Sequence, residues 1–339
     1  IGPDGMPIMA HGDEVIDVGS VLRNRFELMS KLGEGGMGAV FMAVDKIKEE
    51  AQDKNPKVAV KVLNETFKQF RESFIALQRE SSKQQRLAHP NIATVFDFDR
   101  DYTYGTVFMT MEYMEGEPLD KFIRRVPPQG LSYEEARPLI EGMCNGLAYA
   151  HHHNLVHSDF KPANTFLLKD GVIKILDFGI ARAATTKVDE HTGKKETTLF
   201  DPGTLGALTP AYASAEMLEG EVPTPPDDIY ALACVTYQLL GGKHPYNKMP
   251  ANQARDNKLT PARIKKLNRR QWKTLEKGLA FDREKRTESV EEFIDGITPK
   301  KPILAYALTA TFIMLAIIGV LSKGVIEDHL RNERNKEFT

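Results

Sequence analysis

Hydrophobic positions in the first third of the chain come in short runs of strand length. Phe26 to Leu32, Ala39 to Val44 and Lys57 to Val62 read as three strands, with a polar insert from Lys46 to Pro56 between the second and third. Thr106 to Glu112 reads as a further strand that leads into the turn-rich Met114-Glu115-Gly116-Glu117-Pro118. Phe67, Phe70, Phe74 and Leu77 recur at helical spacing, so one helix is predicted among these strands. Beyond residue 112 the period changes from strand to helix. Ser132 and Glu135 have capping-box spacing, and Ala136, Leu139, Ile140, Met143 and Leu147 share a face, which predicts a helix from Ser132 to about His153. Another is expected near Asp227, behind Pro225-Pro226, ending at Gly241-Gly242. Ile229, Leu232, Ala233, Val235 and Leu239 leave it almost no polar face, so it belongs in a core. Residues 1–20 show no periodicity and read as a loose leader.

One stretch departs from the rest. Ile303 to Ser322 runs for about 20 residues without a charge, the length that crosses a hydrocarbon core as a helix. It reads as a membrane span rather than a core helix, since a core helix of that length seldom lacks a polar stripe. Lys300 and Lys301 flank one end and Lys323, Arg331, Arg334 and Lys336 the other, so positive charge does not fix the orientation. A formal net charge of -2 with 27 % charged residues gives no global nucleic-acid signature. Local charge is less even, because Lys258 to Lys273 holds seven cations and no acid. A solvated helical face is the plain account; a docking surface for acidic protein segments or anionic lipid headgroups is the sharper one. Only Cys144 and Cys234 occur, both in apolar stretches, which fits a reducing compartment and two buried thiols. The start, IGPDGMPIMAHGDE, has no signal-peptide pattern and no initiator Met, which reads as an excised or processed chain.

The chemistry-bearing residues fall in a fixed order. Gly33, Gly35 and Gly38 lie in a G-x-G-x-x-G arrangement between two predicted strands, where backbone amides can approach phosphate oxygens. A dinucleotide fold would need a helix straight after these glycines; Ala39 to Val44 is β-like, which favours a strand-loop-strand lid over a nucleotide. Val58-Ala59-Val60-Lys61 puts a lysine at the end of a strand, and Glu80 follows in the predicted helix. His157-Ser158-Asp159-Phe160-Lys161-Pro162-Ala163-Asn164 and Asp177-Phe178-Gly179 then supply a base, a phosphate-facing cation and two metal ligands.

With Tyr212 to Glu216, Asp228 and Arg286 added, this order resembles the eukaryotic-like (Hanks-type) Ser/Thr protein kinases of bacteria, from about Arg25 to Ile297. The resemblance implies an α+β, two-lobed protein kinase fold: a small β-rich N-lobe with one helix (residues 21–112) and a larger, mostly helical C-lobe (113–298). A short linker (299–302), a single C-terminal transmembrane helix (303–322) and a tail (323–339) would follow. It implies that Asp159 orients the substrate hydroxyl and accepts its proton, and that Lys161 neutralises the transferred phosphate. Asn164 and Asp177 would bind Mg2+, or Mn2+ in its place. Lys61, held by Glu80, would bind the ATP phosphates. Leu32, Val40, Ala59 and Phe166 would sandwich adenine, Met111 would guard the back of the pocket, and the backbone of Glu112 and Met114 would bind the adenine edge. The implied partners are ATP, proteins phosphorylated on Ser or Thr, and the membrane, with no nucleic acid; a homodimer would serve trans-autophosphorylation. Use of ATP puts the catalytic domain on the cytoplasmic side of a single-pass inner membrane protein.

Three positions depart from the family pattern. Ser158 replaces the usual Arg that pairs with a phosphothreonine, which predicts weak dependence on activation-loop phosphorylation. Ala215 stands where Pro is usual, while Glu216 remains to pair with Arg286, and Thr209 is expected near the acceptor hydroxyl. The polar, long segment from Thr185 to Thr204 suggests mobility. Two other readings stay open: a pseudokinase scaffold at the membrane, motivated by Ser158 and Ala215, and a small-molecule kinase with a similar His-x-Asp loop.

Overall fold

A computed structural model of the 339-residue chain describes residues 16–35, 38–63, 78, 81–178, 209–299, 314 and 323. The leader up to residue 15, Glu80 and most of its predicted helix, Gly36, Met37, Gly179, the segment 180–208 and, apart from Met314, the apolar run 303–322 lie outside the described residues. The chain divides into two compact units, Ile1–Ile297 and Thr298–Thr339. Among the described residues no helix is long and apolar enough to cross a membrane.

The first part of the larger unit is a six-stranded antiparallel sheet, in the order β1-β2-β3-β4-β6-β5. The strands are β1 (Val21–Leu22), β2 (Phe26–Gly35), β3 (Gly38–Asp45), β4 (Lys57–Leu63), β5 (Val95–Asp101) and β6 (Thr106–Glu112). Alternation sorts the strand residues onto two faces. Val58, Val60 and Val62 join Leu22, Phe26, Leu28, Phe41, Ala43 and Phe108 in one apolar cluster. Ala59 and Leu63 join Val95, Val107, Met109 and Met111 in another, with Val40 and Phe98 packed against it. The polar insert holds a short helix, α1 (Lys46–Glu50), which sequence reading missed; Asp45 caps it by accepting from the Ile47 amide at 3.1 Å. The β5 strand was also missed, because its burial pattern is mostly exposed and partly buried and its sequence, VFDFDRD, carries three acids.

The second part is mainly helical: α2 (Leu119–Ile123), α3 (Tyr133–His152), α4 (Ala215–Leu218), α5 (Pro225–Gly241), α6 (Ala251–Asp256), α7 (Arg269–Gly278) and α8 (Val290–Ile297). The capping box expected for α3 is present, with Ser132 Oγ accepting from the Glu135 amide and Glu135 accepting from the Ser132 amide. In α5, Pro225 and Pro226 occupy the first turn, where a missing N–H costs nothing. Every residue from Asp227 to Leu240 is buried, so α5 is the central post of the C-lobe core. It stops at Gly242, whose φ of +76° is a left-handed cap that a side chain could not take without meeting the Pro128 carbonyl. A small antiparallel sheet, β7 (Gly116–Pro118), β8 (Thr165–Leu168) and β9 (Ile173–Ile175), carries the catalytic tract on the core.

Candidate active site

The catalytic tract hangs from one carboxylate. Asp228, in the first turn of α5, accepts from the backbone amides of His157 (2.7 Å) and Ser158 (2.9 Å) and is 2.8 Å from His151 Nε2 of α3. It is 1 % exposed, so these bonds fix the loop to the core of the C-lobe. Ser158 accordingly adopts φ +67°, a left-handed conformation rare for Ser, and is itself 4 % exposed. His157 is clamped by its ring: Nε2 donates to the Leu176 carbonyl at 2.9 Å and Nδ1 accepts from the Asp159 amide at 3.3 Å. Phe178 stacks on it at 4.7 Å between ring centres. One histidine thereby ties the His157–Asn164 tract to the Asp177 turn.

Asp159 and its partners form the first cluster. Lys161 Nζ lies 2.6 Å from Asp159 Oδ2 and donates to Thr209 Oγ1 at 2.8 Å. Asn164 Nδ2 donates to the Asp159 carbonyl (2.9 Å) and to its Oδ2 (3.0 Å), which leaves Oδ1 of the amide as an acceptor for another group. Burial raises the Asp159 carboxyl above the usual range, opposed by Lys161, His157 and Asn164. A cavity of about 10 Å3, room for roughly one water, lies behind the loop between Ser158, Tyr212, Asp227 and Asp228.

The second cluster joins the lobes. Lys61 Nζ pairs with Asp177 Oδ2 at 2.8 Å, with side chains 8 % and 25 % exposed. Asp177 has φ +56°, a local strain that aims its carboxylate across the cleft. The lysine was expected to pair with Glu80; in the structure its described partner is Asp177, and Glu80 lies outside the described residues.

The sheet register places the remaining candidates. Val40 is opposite Lys61, and Ala59 is opposite Met111, so all four side chains share one face of the sheet. Leu32 falls at the register shift between Lys31 and Gly33 and is 47 % exposed, the least buried of the group. Phe166 in β8 points away from the buried Thr165 and from Leu167, which packs on the C-lobe core. Glu112 donates its backbone amide to the Thr94 carbonyl (3.0 Å), so that amide is already engaged. Its carboxylate bonds Lys174 Nζ of β9 and the Thr94 amide, each at 2.7 Å. No local signal in the sequence could have revealed that strut, whose ends are 62 residues apart. Met114 is partly buried just after β6.

The glycines divide in two. A Cβ on Gly33 or Gly35 would meet nothing within 4 Å, so among the described residues no group fills the space beside them. A Cβ on Gly38, at φ +142°, would collide with the Val62 carbonyl, so this glycine is required by the approach of β3 to β4.

Behind the site, Arg286 is 1 % exposed and holds the segment after Thr209. It bonds Glu216 Oε2 at 2.9 Å, as expected, and also Asp227 Oδ1 at 3.1 Å, which the sequence did not reveal. Burial would raise the Asp227 carboxyl, but hydrogen bonds from Ser214 and Thr224 and the Arg283 charge hold it below the usual range.

Comparison with known proteins agrees with this geometry. The protein kinase domain family matches residues 26–307. Serine/threonine-protein kinase PrkC of Bacillus subtilis (strain 168) is 32 % identical over 231 residues, which cover 68 % of this chain and 32 % of PrkC. Serine/threonine-protein kinase PknA of Mycobacterium tuberculosis (strain ATCC 25618 / H37Rv) is 33 % identical over 232 residues, 68 % of this chain and 49 % of PknA. The chain thus spans about a third to a half of the length of these curated relatives. The crystal structure of the Mycobacterium tuberculosis PknI kinase domain shares the fold, with a TM-score of 0.63 at 24 % identity over 84 % of this chain and 98 % of that one. By family match, relatives and fold together, the chain belongs to the protein kinases, among the bacterial Hanks-type serine/threonine kinases.

Proposed function

We propose that this chain transfers the γ-phosphoryl group of ATP to serine and threonine hydroxyls of proteins, itself included, from the cytoplasmic face of a membrane anchored through residues 303–322. The observation that carries the transfer is the convergence of Asp159 and Thr209 on Lys161, whose Nζ lies 2.6 Å from Asp159 Oδ2 and 2.8 Å from Thr209 Oγ1. Asp159 orients the acceptor hydroxyl and takes its proton, with Lys161 placed to neutralise charge on the phosphoryl oxygens. Thr209 holds Lys161 on the acceptor side. Lys61 binds the nucleotide phosphates, Gly33 and Gly35 leave the room for them, and Val40, Ala59, Met111 and Phe166 enclose adenine with Leu32 above. The Glu112 carbonyl and the Met114 backbone read the adenine edge.

The residues present fit a magnesium ion. Mg2+ takes one or two protein oxygens and completes its shell with phosphates and water; Asp177 and Oδ1 of Asn164 would hold it, with Lys61 giving up its ion pair. When bound it neutralises phosphate charge. Anchoring rests on the uncharged run 303–322. Transfer of label from γ-labelled ATP to protein, followed by phosphoamino-acid analysis, tests the reading: phosphoserine or phosphothreonine is expected. No transfer to any protein would leave a scaffold in its place.

Ser158 presents no cation to a phosphorylated loop, yet its backbone holds its place on Asp228. Joint replacement of Thr197, Thr198 and Thr204 by Ala is therefore expected to keep at least roughly a third of the wild-type rate, because the arginine that reads a phosphate in such loops is missing. Loss of nearly all activity would refute this. The Lys174 to Glu112 strut holds the adenine-reading strand from the C-lobe side. Lys174→Met is expected to raise the KM for ATP about three- to tenfold with little change in kcat, the signature of lost uniform binding. Lys174→Arg should restore it, and an unchanged KM in the Met variant would show the strut to be idle.

A further inference from the structure

We propose that the basic segment from Lys258 to Lys273 is a docking surface for an anionic lipid bilayer. Its seven cations divide by what they do. Lys266 donates to the Gln129 carbonyl at 2.9 Å and to that of Leu131, and Arg270 bonds the Asp295 side chain at 2.7 Å. These two fasten the segment to the domain. Lys258, Arg263, Lys265, Arg269 and Lys273 are exposed and have no ion pair among the described residues. Ile264, Leu267, Gln271 and Trp272 turn inward between them, so the cations are held outward by a buried underside.

The five exposed cations make no ion pair among the described residues that would serve the fold. Arg269 and Lys273 stand one turn apart on α7, where like charges repel. Arg269 and Arg270 occupy the first turn of that helix, the end that disfavours positive charge, and the turn itself holds no acid; Asp295 of α8 meets Arg270, and Arg269 has no ion pair among the described residues. A cluster of this size matches the number of basic residues that recognises anionic headgroups, and its seat favours a bilayer over a peptide. The start of α7 is bonded to the end of α8, through Arg270 to Asp295 and through Gln271 Nε2 to the Ile297 carbonyl at 3.1 Å. From Ile297 the chain has five residues before the uncharged run begins at Ile303, at most about 20 Å of extended backbone. Resting on the anchored reading above, that tether keeps the cations within reach of headgroups.

The experiment uses the full chain with Ala262→Cys as a reporter inside the segment. Ala262 is exposed, whereas the native Cys144 and Cys234 are 0 % exposed and will not compete for a maleimide. The protein is added to preformed neutral phosphatidylcholine vesicles, or to vesicles with about 30 % phosphatidylglycerol. Labelling at position 262 is expected to be at least about fivefold slower on the anionic vesicles, and to recover in roughly 0.5 M salt, where screening shortens to a few Å. Replacing Lys258, Arg263, Lys265 and Lys273 together by Gln should abolish the difference. Equal rates on the two vesicles overturn the proposal; slowing by an acidic peptide alone, with equal rates on both lipids, overturns it in favour of a protein partner. Flotation with the neutral vesicles reads the anchor separately, so loss of flotation would sink the anchor without deciding the labelling comparison.

Discussion

Asp159→Asn is expected to cut the rate of phosphoryl transfer by about 10²- to 10⁴-fold, the range supplied by a positioned general base. The substitution keeps the shape of the side chain and an oxygen facing Asn164 and Lys161, so the cluster of three survives while the proton acceptor does not. Burial already penalises the charge on Asp159, so removing that charge should not lower the melting temperature. The same burial sets the pH dependence. Desolvation disfavours the carboxylate, so its proton is lost at higher pH than from an ordinary Asp, and the acid limb of kcat/KM should lie above the usual carboxylate range. In the Asn variant that limb should vanish. Steady-state kinetics with γ-labelled ATP and thermal unfolding read all of this. A variant that keeps wild-type turnover would remove Asp159 from the role of base, and a variant that fails to fold would show its first duty to be structural.

What sequence could reveal about this site follows the range of the forces that build it. The strands β2, β3, β4 and β6 and the helices α3 and α5 were legible because each has its own period and stop signals: Ser132 with Glu135 at one start, Pro225-Pro226 at another, Gly242 at an end. The short α1 was not, since its residues carry no apolar face and the Asp45 cap alone marks it. At the site, the tract from His157 to Asn164 named its own chemistry, but not what holds it. Asp228 reaches it from 70 residues away, and Lys174 meets Glu112 across 62. The left-handed conformations of Ser158 and Asp177 were equally hidden, because neither residue is the glycine that would advertise a positive φ. Each costs on the order of 1 kcal/mol and persists only where surrounding bonds over-determine it, as the Asp228 and Lys61 contacts do here. The strain is located at the two residues that flank the catalytic groups, so the loop is set before substrate arrives.

Arg286→Met is expected to be the most destabilising single change in the C-lobe. A guanidinium has five N–H donors, and in this structure every one is used. Nε donates to the Ala280 carbonyl, Nη1 to the Pro226 carbonyl and Asp227 Oδ1, and Nη2 to Glu216 Oε2 and the Phe281 carbonyl, at 2.8 to 3.1 Å. Its side chain is 0 % exposed and its charge also lies 5.3 Å from the centre of the Tyr230 ring. Methionine would keep most of the volume and none of the donors. Asp227 would retain Arg283 at 2.9 Å, but Glu216, 12 % exposed, would lose its only ion-pair partner among the described residues. Removing one partner of a buried pair costs about 3–5 kcal/mol, against a total stability of roughly 5–15 kcal/mol. At about 2–4 °C per kcal/mol for a domain of this size, the melting temperature should fall by roughly 6–20 °C. Arg255→Ala is the control: its pair with Glu219 is open to solvent on both sides, so the melting temperature should barely move. Activity should fail with Arg286 as well, because Asp227 accepts from Ser214 and Glu216 anchors the same segment, the one that brings Thr209 to Lys161. Equal melting temperatures for the two variants would mean that the buried network adds nothing beyond a surface pair, and that Ala215 and its neighbours hold this segment by packing alone.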